Sequence, residues 1–296
     1  MEFGKVTSEE LEQITFTLPP DRLETVALLA KQKRENPPRA FVGCAKWGRK
    51  DWVGTIYPKG TKEADFLSHY AKFFNTIELN ATFYKLPSRT QTSAWKSKVG
   101  PDFRFCPKFS DKITHLRRLK DAKEMTDRFL EGISGFGENL GPAFLMAHPS
   151  MGPKTMETIA QFLETLPKDF EVFVELRQAD WFKNQDAFSA MFNIFEQAKV
   201  GSVITDASGR RDCVHMRLTT PQAFIRFVGN GLHPSDYSRV DQWVERIKVW
   251  FDQGMQKVYF FMHQHDEIHS PELSKYVIEQ LNSVCSTGLP VPKFLN

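Results

Sequence analysis

Val172-Phe173-Val174-Glu175-Leu176-Arg177 is a short apolar run with charges at its end, and its reading decides the fold. Hydrophobic side chains of both parities leave no face for water, the pattern of a strand buried on both sides in a parallel sheet. A carboxylate in such a strand is costly unless it is paired or reaches solvent. Three further runs have the same form: Thr76-Ile77-Glu78-Leu79, Phe103-Arg104-Phe105-Cys106-Pro107-Lys108 and Phe224-Ile225-Arg226-Phe227. Glu78, Lys108, Glu175 and Arg226 therefore stand at or near the ends of separate buried strands. One such charge reads as a structural ion pair. Four predict a polar site assembled at one end of a parallel sheet, which points to an enzyme.

Outward from these runs the chain alternates. Further strand-like segments cover Ala40–Ala45, Ala143–Ala147, Ser202–Thr205 and Val258–Met262. Between most strands lie helical patterns, such as Phe66, Leu67, Tyr70, Phe73 and Phe74, or Val240, Trp243, Val244, Ile247, Trp250 and Phe251, each on one helix face. Ser270-Pro271-Glu272 opens a last helix, with proline at its first position. Strand–helix alternation implies right-handed crossovers and a parallel sheet. Eight such units in about 250 residues predict an α/β fold of the (β/α)8 TIM-barrel type. The sixth unit is the weak one, because Asp206 to Thr220 offers only a short helix.

Residues 1–38 read as an N-terminal arm and linker, packed outside the barrel and clear of its mouth, and residues 39–296 as the barrel domain. Leu18-Pro19-Pro20-Asp21 leads into a short helix from Arg22 to Gln32, and Lys31 to Arg39 is a charged, proline-containing linker. A hydrophobic fraction of 41% is ample for a core. The formal net charge of +3 is scattered among both signs, so no basic stripe for a nucleic-acid backbone is present. No apolar stretch reaches the length of a membrane span and no secretory pattern opens the chain, so a cytoplasmic protein without membrane partner is expected. Cys44, Cys106, Cys213 and Cys285 are far apart and read as small hydrophobes of a reducing compartment. No glycine-rich phosphate loop follows any strand, so no nucleotide cofactor is expected.

In a barrel of this type the active site lies at the C-terminal strand ends. Strand parity places Glu78, Asn80 and Thr82 on one face while the strand persists, and Glu175 with Arg177 on one face of theirs. Arg104, Cys106 and Lys108 lie opposite Phe103 and Phe105, which suit the helix layer. The candidate catalytic residues are Glu78 and Glu175 as an acid/base pair tuned in opposite directions, Lys108 as oxyanion stabiliser or nucleophilic amine, and His115. Candidate substrate-binding residues are Trp47, Asn80, Thr82, Tyr84, His148, Arg177, Trp181, Asp206, Arg226 and His263. The arginines would anchor an anion through forked hydrogen bonds, and the aromatics would pack the rim or stack on a ring.

The series Trp52-x-Gly54-x-x-Tyr57-Pro58, Glu78-x-Asn80-x-Thr82-Phe83-Tyr84, Lys108 with Ile113-Thr114-His115, and Glu175-x-Arg177-x-x-x-Trp181 resembles the motifs of the YecE-like family, known as domain of unknown function 72. The resemblance spans about Phe41 to Pro271 and implies a TIM-barrel-like fold with no assigned activity. Three places depart from the family pattern: Gly43-Cys44-Ala45-Lys46-Trp47 adds a cation after the first strand, His148 stands where a glutamine is usual, and His263-Gln264-His265-Asp266 replaces an asparagine pair. His148, His263 and His265, with Asp266, Asp206, Glu78 and Glu175, leave a divalent metal ion open, although no diagnostic ligand spacing is present.

The function expected from the sequence is an enzyme acting on a small polar or anionic molecule, sugar- or phosphate-like, by carboxylate acid/base chemistry; hydrolase, lyase and isomerase stay open. Two alternatives stand beside it: a non-catalytic small-ligand-binding barrel serving as sensor or scaffold, and a divalent-metal-dependent hydrolase or isomerase. Convergence of Glu78 and Glu175 on one open cavity favours the enzyme, and their closure in arginine pairs favours the scaffold.

Overall fold

Every expected strand is present, and every strand pair is parallel, in a computed structural model that describes residues 3–33 and 36–295. The strands are β1 (Arg39–Cys44), β2 (Thr76–Leu79), β3 (Arg104–Pro107), β4 (Ala143–Met146), β5 (Val172–Glu175), β6 (Gly201–Asp206), β7 (Gln222–Gly229) and β8 (Lys257–Gln264). The helices are α1 (Ser8–Leu11), α2 (Leu23–Ala30), α3 (Phe66–Tyr70), α4 (Ala81–Tyr84), α5 (Arg89–Lys96), α6 (Lys123–Ile133), α7 (Met156–Glu164), α8 (Asp180–Lys183), α9 (Gln185–Gln197), α10 (Pro234–Gln253) and α11 (Ser270–Cys285). Between β6 and β7 there is only a short helical turn, Ser208–Cys213, in keeping with the weak sixth unit. The helices α4 and α5 were not expected, because Ala81 to Lys96 is polar and carries no apolar stripe.

The ladder does not run unbroken through eight strands. Six of them form one curled sheet in the order β1-β8-β7-β6-β5-β4, and β2 pairs with β3 in a second sheet. Side chains carry the hydrogen bonds between β1 and β2. The Asn75 amide accepts from the Val42 N–H at 2.9 Å and donates to the Ala40 carbonyl at 2.9 Å, as a strand backbone would. Beside it the Tyr70 hydroxyl accepts from the Cys44 N–H at 2.7 Å and donates to the Thr76 carbonyl at 2.9 Å. Glycine is required at position 43, because a Cβ there would lie 2.1 Å from the Thr76 carbonyl oxygen. On the other side, single parallel bridges join Phe105 to Leu140 and Lys108 to Phe144.

Parity sorts the side chains as expected for β3. Phe103 and Phe105 pack in the main core, whereas Cys106 joins Phe41, Phe144, Phe173, Val203, Phe224, Tyr259 and Phe261 in a separate cluster on the concave face. Phe224 lies 5.3 Å from both Phe144 and Phe173 and 4.7 Å from Phe261, and Phe41 stacks on Tyr259. This aromatic plug is the floor on which the polar strand ends rest. Outside, α10 buries Val240, Trp243, Val244, Ile247, Trp250 and Phe251. The cysteines are free thiols, buried at Cys44, Cys106 and Cys213.

The N-terminal segment runs over this outer layer. Thr25 bonds the Met216 carbonyl and the Leu218 N–H, and Asp21 pairs with Arg246. It does not stay clear of the mouth, however. The Phe3 ring covers the guanidinium of Arg177 at 4.1 Å and that of Arg210 at 4.9 Å, and the Gly4 carbonyl accepts from the Gly209 N–H. Arg34 and Glu35 of the charged linker lie outside the described residues. No helix among the described residues is long and apolar enough to cross a membrane.

The side-chain seam yields a direct test. Asn75→Ala orphans the Val42 N–H and the Ala40 carbonyl, at roughly 1–3 kcal/mol for each buried group. Denaturant melts should register that loss, and a variant as stable as the parent would show the seam to be dispensable.

Candidate functional site

Arg226 projects from β7 onto the aromatic floor, its guanidinium 5.3 Å from the Phe144 ring centroid, and is 1% exposed. Burying a guanidinium demands partners for its whole fork. Glu78 supplies two: Nε donates to Oε2 at 2.7 Å and Nη2 to Oε1 at 2.8 Å. Glu175 takes the other edge, with Nη1 donating to Oε2 at 2.9 Å and Oε1 at 3.0 Å. One cation thus ties the end of β2 to the end of β5.

The two carboxylates have little room for anything else. Asn80 donates to Glu78 Oε1 at 2.8 Å and the His263 Nε2 lies 3.0 Å from Oε2. Arg177 and Thr205 donate to Glu175 Oε1 at 3.0 and 2.7 Å. Burial alone would raise both acids, yet the cations override it. Arg226 and then His263 hold Glu78 well below the usual carboxylate range, and Arg177 with Arg226 holds Glu175 at about 2. The expectation of opposite tuning is corrected: both are lowered, because both face the same guanidinium. Neither glutamate lines the open cavity.

That cavity, about 800 Å³, opens above the cluster and is walled by Lys46, Arg49, Asn80, Phe83, Tyr84 and Lys108, by His115, Met146, Arg177, Arg226 and His263 on its inner side, and by His265, Asp266 and Glu267 beyond β8; Asp266 pairs with Arg49. His263 is buried between Glu78 and Glu267; burial would lower its pKa, but Glu78 outweighs it and raises the pKa, which favours the imidazolium form. Glu78, Glu175 and Glu267 are therefore matched by Arg226, Arg177 and His263. Among the described residues Lys108 is the buried cavity cation left over from these pairings. It is 7% exposed, and among the described residues its ammonium has no hydrogen bond and no carboxylate at ion-pair distance. Two rings lie against it, with Nζ 4.2 Å from the Phe83 centroid and 5.7 Å from that of Phe144. Desolvation first, then repulsion from Arg226, lowers its pKa to about 8 despite Glu78 and Glu175.

His115 sits on a π-helical turn, Lys112–Leu116, with its ring edge-on to Phe83 at 5.0 Å. Such turns often carry functional groups. Nδ1 is 2.8 Å from the Thr114 hydroxyl, and Nε2 has no hydrogen bond among the described residues. Burial, then His148 and Lys108, lowers its pKa to about 4, so the ring is neutral. Arg177 uses Nε on Glu175; its two Nη groups make no hydrogen bond among the described residues.

Several expected binding residues lie elsewhere. Asp206 turns to the helix layer, where Arg239 and the Trp243 indole each donate to it at 2.7 Å and Arg211 pairs with it. Its neighbour Thr205 has the inward parity, shown by its register with Arg226. Thr82 leaves the strand face because β2 ends at Leu79 and α4 begins at Ala81; its hydroxyl lies 2.7 Å from the Lys108 carbonyl. Trp181 is fully buried with its indole on the Met151 carbonyl, and Trp47 packs edge-on against Trp95 and Phe105. His148 stands beside His115, ring centroids 5.1 Å apart, outside the cavity wall. Asn80, Tyr84, Arg177, Arg226 and His263 do line the cavity with Lys108 and His115. Sequence reasoning missed Thr205, Phe144, Met146, Arg49 and Phe3. Parity on β6 and β4 would have found Thr205, Phe144 and Met146, whereas Phe3 left no signal. Among the described residues no group of three or more His, Cys, Asp and Glu side chains is arranged to hold a metal ion.

Comparison with known proteins agrees with the motif series. The family described as "Protein of unknown function DUF72" matches residues 41–293. The chain belongs to that family. It is 26% identical over 259 residues to UPF0759 protein YecE of Escherichia coli O157:H7, covering 81% of this chain and 92% of the relative, and equally to that of strain K12. Crystal structures of a DUF72 family protein from Enterococcus faecalis V583 share the fold. One superposes with a TM-score of 0.65 at 17% identity over 87% of this chain and 98% of that one, and another with 0.64 at 16% over 84% and 98%.

If Arg226 is the frame, its partners cannot be neutralised without loss. Glu78→Gln and Glu175→Gln should each cost about 3–5 kcal/mol, the usual effect of breaking a buried pair, and melts showing neither loss would remove them from the frame. The pH dependence follows the lowered acids. Glu175, held at about 2, contributes stability that is complete above the unfolded carboxylate pKa and lost as pH falls from there toward about 2. His263 behaves oppositely: its contribution is complete below the unfolded imidazole pKa and lost as pH rises through the raised folded value. Denaturation from pH 6 to 2 should show the acid slope in the parent and a shallower one in Glu175→Gln.

Proposed function

We propose that this protein is an enzyme acting on a small anionic substrate in the cavity above Arg226, with Lys108 as the group that meets the reacting atoms. The observation that carries this reading is the surplus charge: a nearly buried ammonium without counterion, beside unbonded Arg177 Nη groups, in a cavity of molecular size. Arg177 would anchor the anion, His115 would move protons through Nε2, and Glu78, Glu175 and Arg226 would hold the frame rather than act as acid and base. A carboxylate held near pKa 2 is neither a proton donor nor a strong base at neutral pH.

We also infer that the two sheets together form a complete (β/α)8 barrel. The Asn75–Tyr70 seam on one side and the Phe105 and Lys108 bridges on the other support that closure. The corresponding domain arrangement is a barrel with residues 1–38 as an arm that meets Arg177 at Phe3 and then runs over the outer layer through Asp21 and Thr25.

One observation favours a second reading, a non-catalytic anion-binding barrel: both glutamates are closed in arginine pairs. Lys108 separates the two. Lys108→Met removes an uncompensated buried charge, so the variant should be more stable, by on the order of 1–3 kcal/mol judged from the lowered pKa, while turnover of a metabolite extract, read by mass spectrometry, disappears. Lys108→Arg keeps the charge and should retain anion binding without turnover. A binding protein would show no turnover in the parent, and a structural lysine would destabilise on removal. Binding of inorganic phosphate by calorimetry should weaken at least ten-fold in Arg177→Met under either reading.

A further inference from the structure

We propose that Lys108 forms an imine with the carbonyl carbon of a small compound that also carries an anionic group, the anion being held by the free Nη groups of Arg177. The proposal rests on the reading of this cavity as a small-anion site and names what the lysine is for.

A lysine that served only to bind an anion would gain from remaining charged, and the cavity already has the Arg177 Nη groups for that purpose. Lys108 instead stands where the charged form is penalised. It is nearly buried, backed by Phe83 and Phe144 rather than by a carboxylate, and its backbone is pinned by the Thr82 hydroxyl and by the bridge to Phe144. The lowered pKa follows from that environment and keeps a usable fraction of free amine near neutral pH. The same aromatic faces that tolerate the ammonium would lie against an iminium cation, which they stabilise in the same way.

The chemistry balances without oxidant or reductant. The neutral amine adds to the carbonyl carbon, forming a C–N bond while the carbonyl π pair moves to oxygen, which takes up a proton. Loss of the remaining amine proton and of the hydroxyl as water gives the C=N bond, so amine and carbonyl yield imine and water. His115 is placed to carry these protons. It is neutral, its Nε2 is unbonded among the described residues, and its ring contacts Phe83, as Lys108 Nζ does, in the same cavity. Glu78 and Glu175 take no part, because their oxygens are engaged by Arg226, Arg177, Asn80, Thr205 and His263.

The test is reductive trapping with the full chain. Glyoxylate and glycolaldehyde phosphate offer an aldehyde beside a carboxylate or a phosphate, and uncharged glycolaldehyde is the control. Each is added at low concentration with sodium cyanoborohydride, and labelled lysines are mapped by peptide mass spectrometry. One of the two anionic probes should modify Lys108 at least ten-fold faster than any exposed lysine, and which one does so distinguishes carboxylate from phosphate. Glycolaldehyde should show no such preference, inorganic phosphate should suppress the labelling, and Arg177→Met should weaken it. His115→Gln should slow labelling of Lys108 by the preferred probe. Labelling spread over surface lysines, with Lys108 no faster than the rest, overturns the imine. If inorganic phosphate still binds in that case, the anion-site reading survives; if it does not bind either, both fall.

Discussion

Everything at the mouth of this molecule depends on one buried guanidinium. Arg226 is inserted between the ends of β2 and β5, and both glutamates on those strands close on it. A charge so placed must be satisfied on every edge, and the neighbours are arranged to do that: Asn80 and His263 complete Glu78, Arg177 and Thr205 complete Glu175. Below it the aromatic plug excludes water, which strengthens each of these bonds and makes the loss of any partner costly. Buried ion clusters are seldom more stabilising than an apolar replacement. What this one provides is position: it holds Arg177 at the cavity wall with both Nη groups unbonded among the described residues, and His263 between Glu78 and Glu267.

The balance of the cluster has a chemical consequence for its neighbour. Glu78, Glu175 and Glu267 pair with Arg226, Arg177 and His263, and among the described residues no carboxylate lies at ion-pair distance from Lys108. Its ammonium is thus held against rings and beside a guanidinium, an arrangement that disfavours protonation in the folded state. A fold that spends stability on an unpaired buried lysine retains a feature that packing alone would discard.

Much of this was legible in the sequence because two simple periodicities carry it. Near-continuous apolar runs located all eight strands, and alternation along each strand placed Glu78, Lys108, Glu175 and Arg226 on one face. Asp206 was misassigned although the same rule covers it: Val203 and Thr205 are inward, so Asp206 must point to the helices, where Arg239 and Trp243 receive it. Thr82 failed for another reason, since strand parity stops where the chain turns into α4, one residue beyond Asn80. Protonation could not be read from spacing. Whether two glutamates are tuned apart or together depends on which cations reach them, and both reach Arg226 from strands far apart in sequence. The position of Phe3 on Arg177 is likewise a long-range contact that no local pattern announces.

The central claim is that Arg226 consumes the carboxylates and leaves Lys108 an uncompensated, readily deprotonated amine. The most direct measurement is the titration of that amine in the intact protein, by nitrogen NMR of the Lys108 Nζ with Lys108→Arg for assignment. The account predicts a midpoint at about 8. It also predicts that the midpoint moves down in Glu175→Gln, because removing a carboxylate leaves Lys108 and Arg226 more strongly opposed. A midpoint near that of an ordinary exposed lysine, about 10.4, would mean that Lys108 has a counterion after all and would contradict the account.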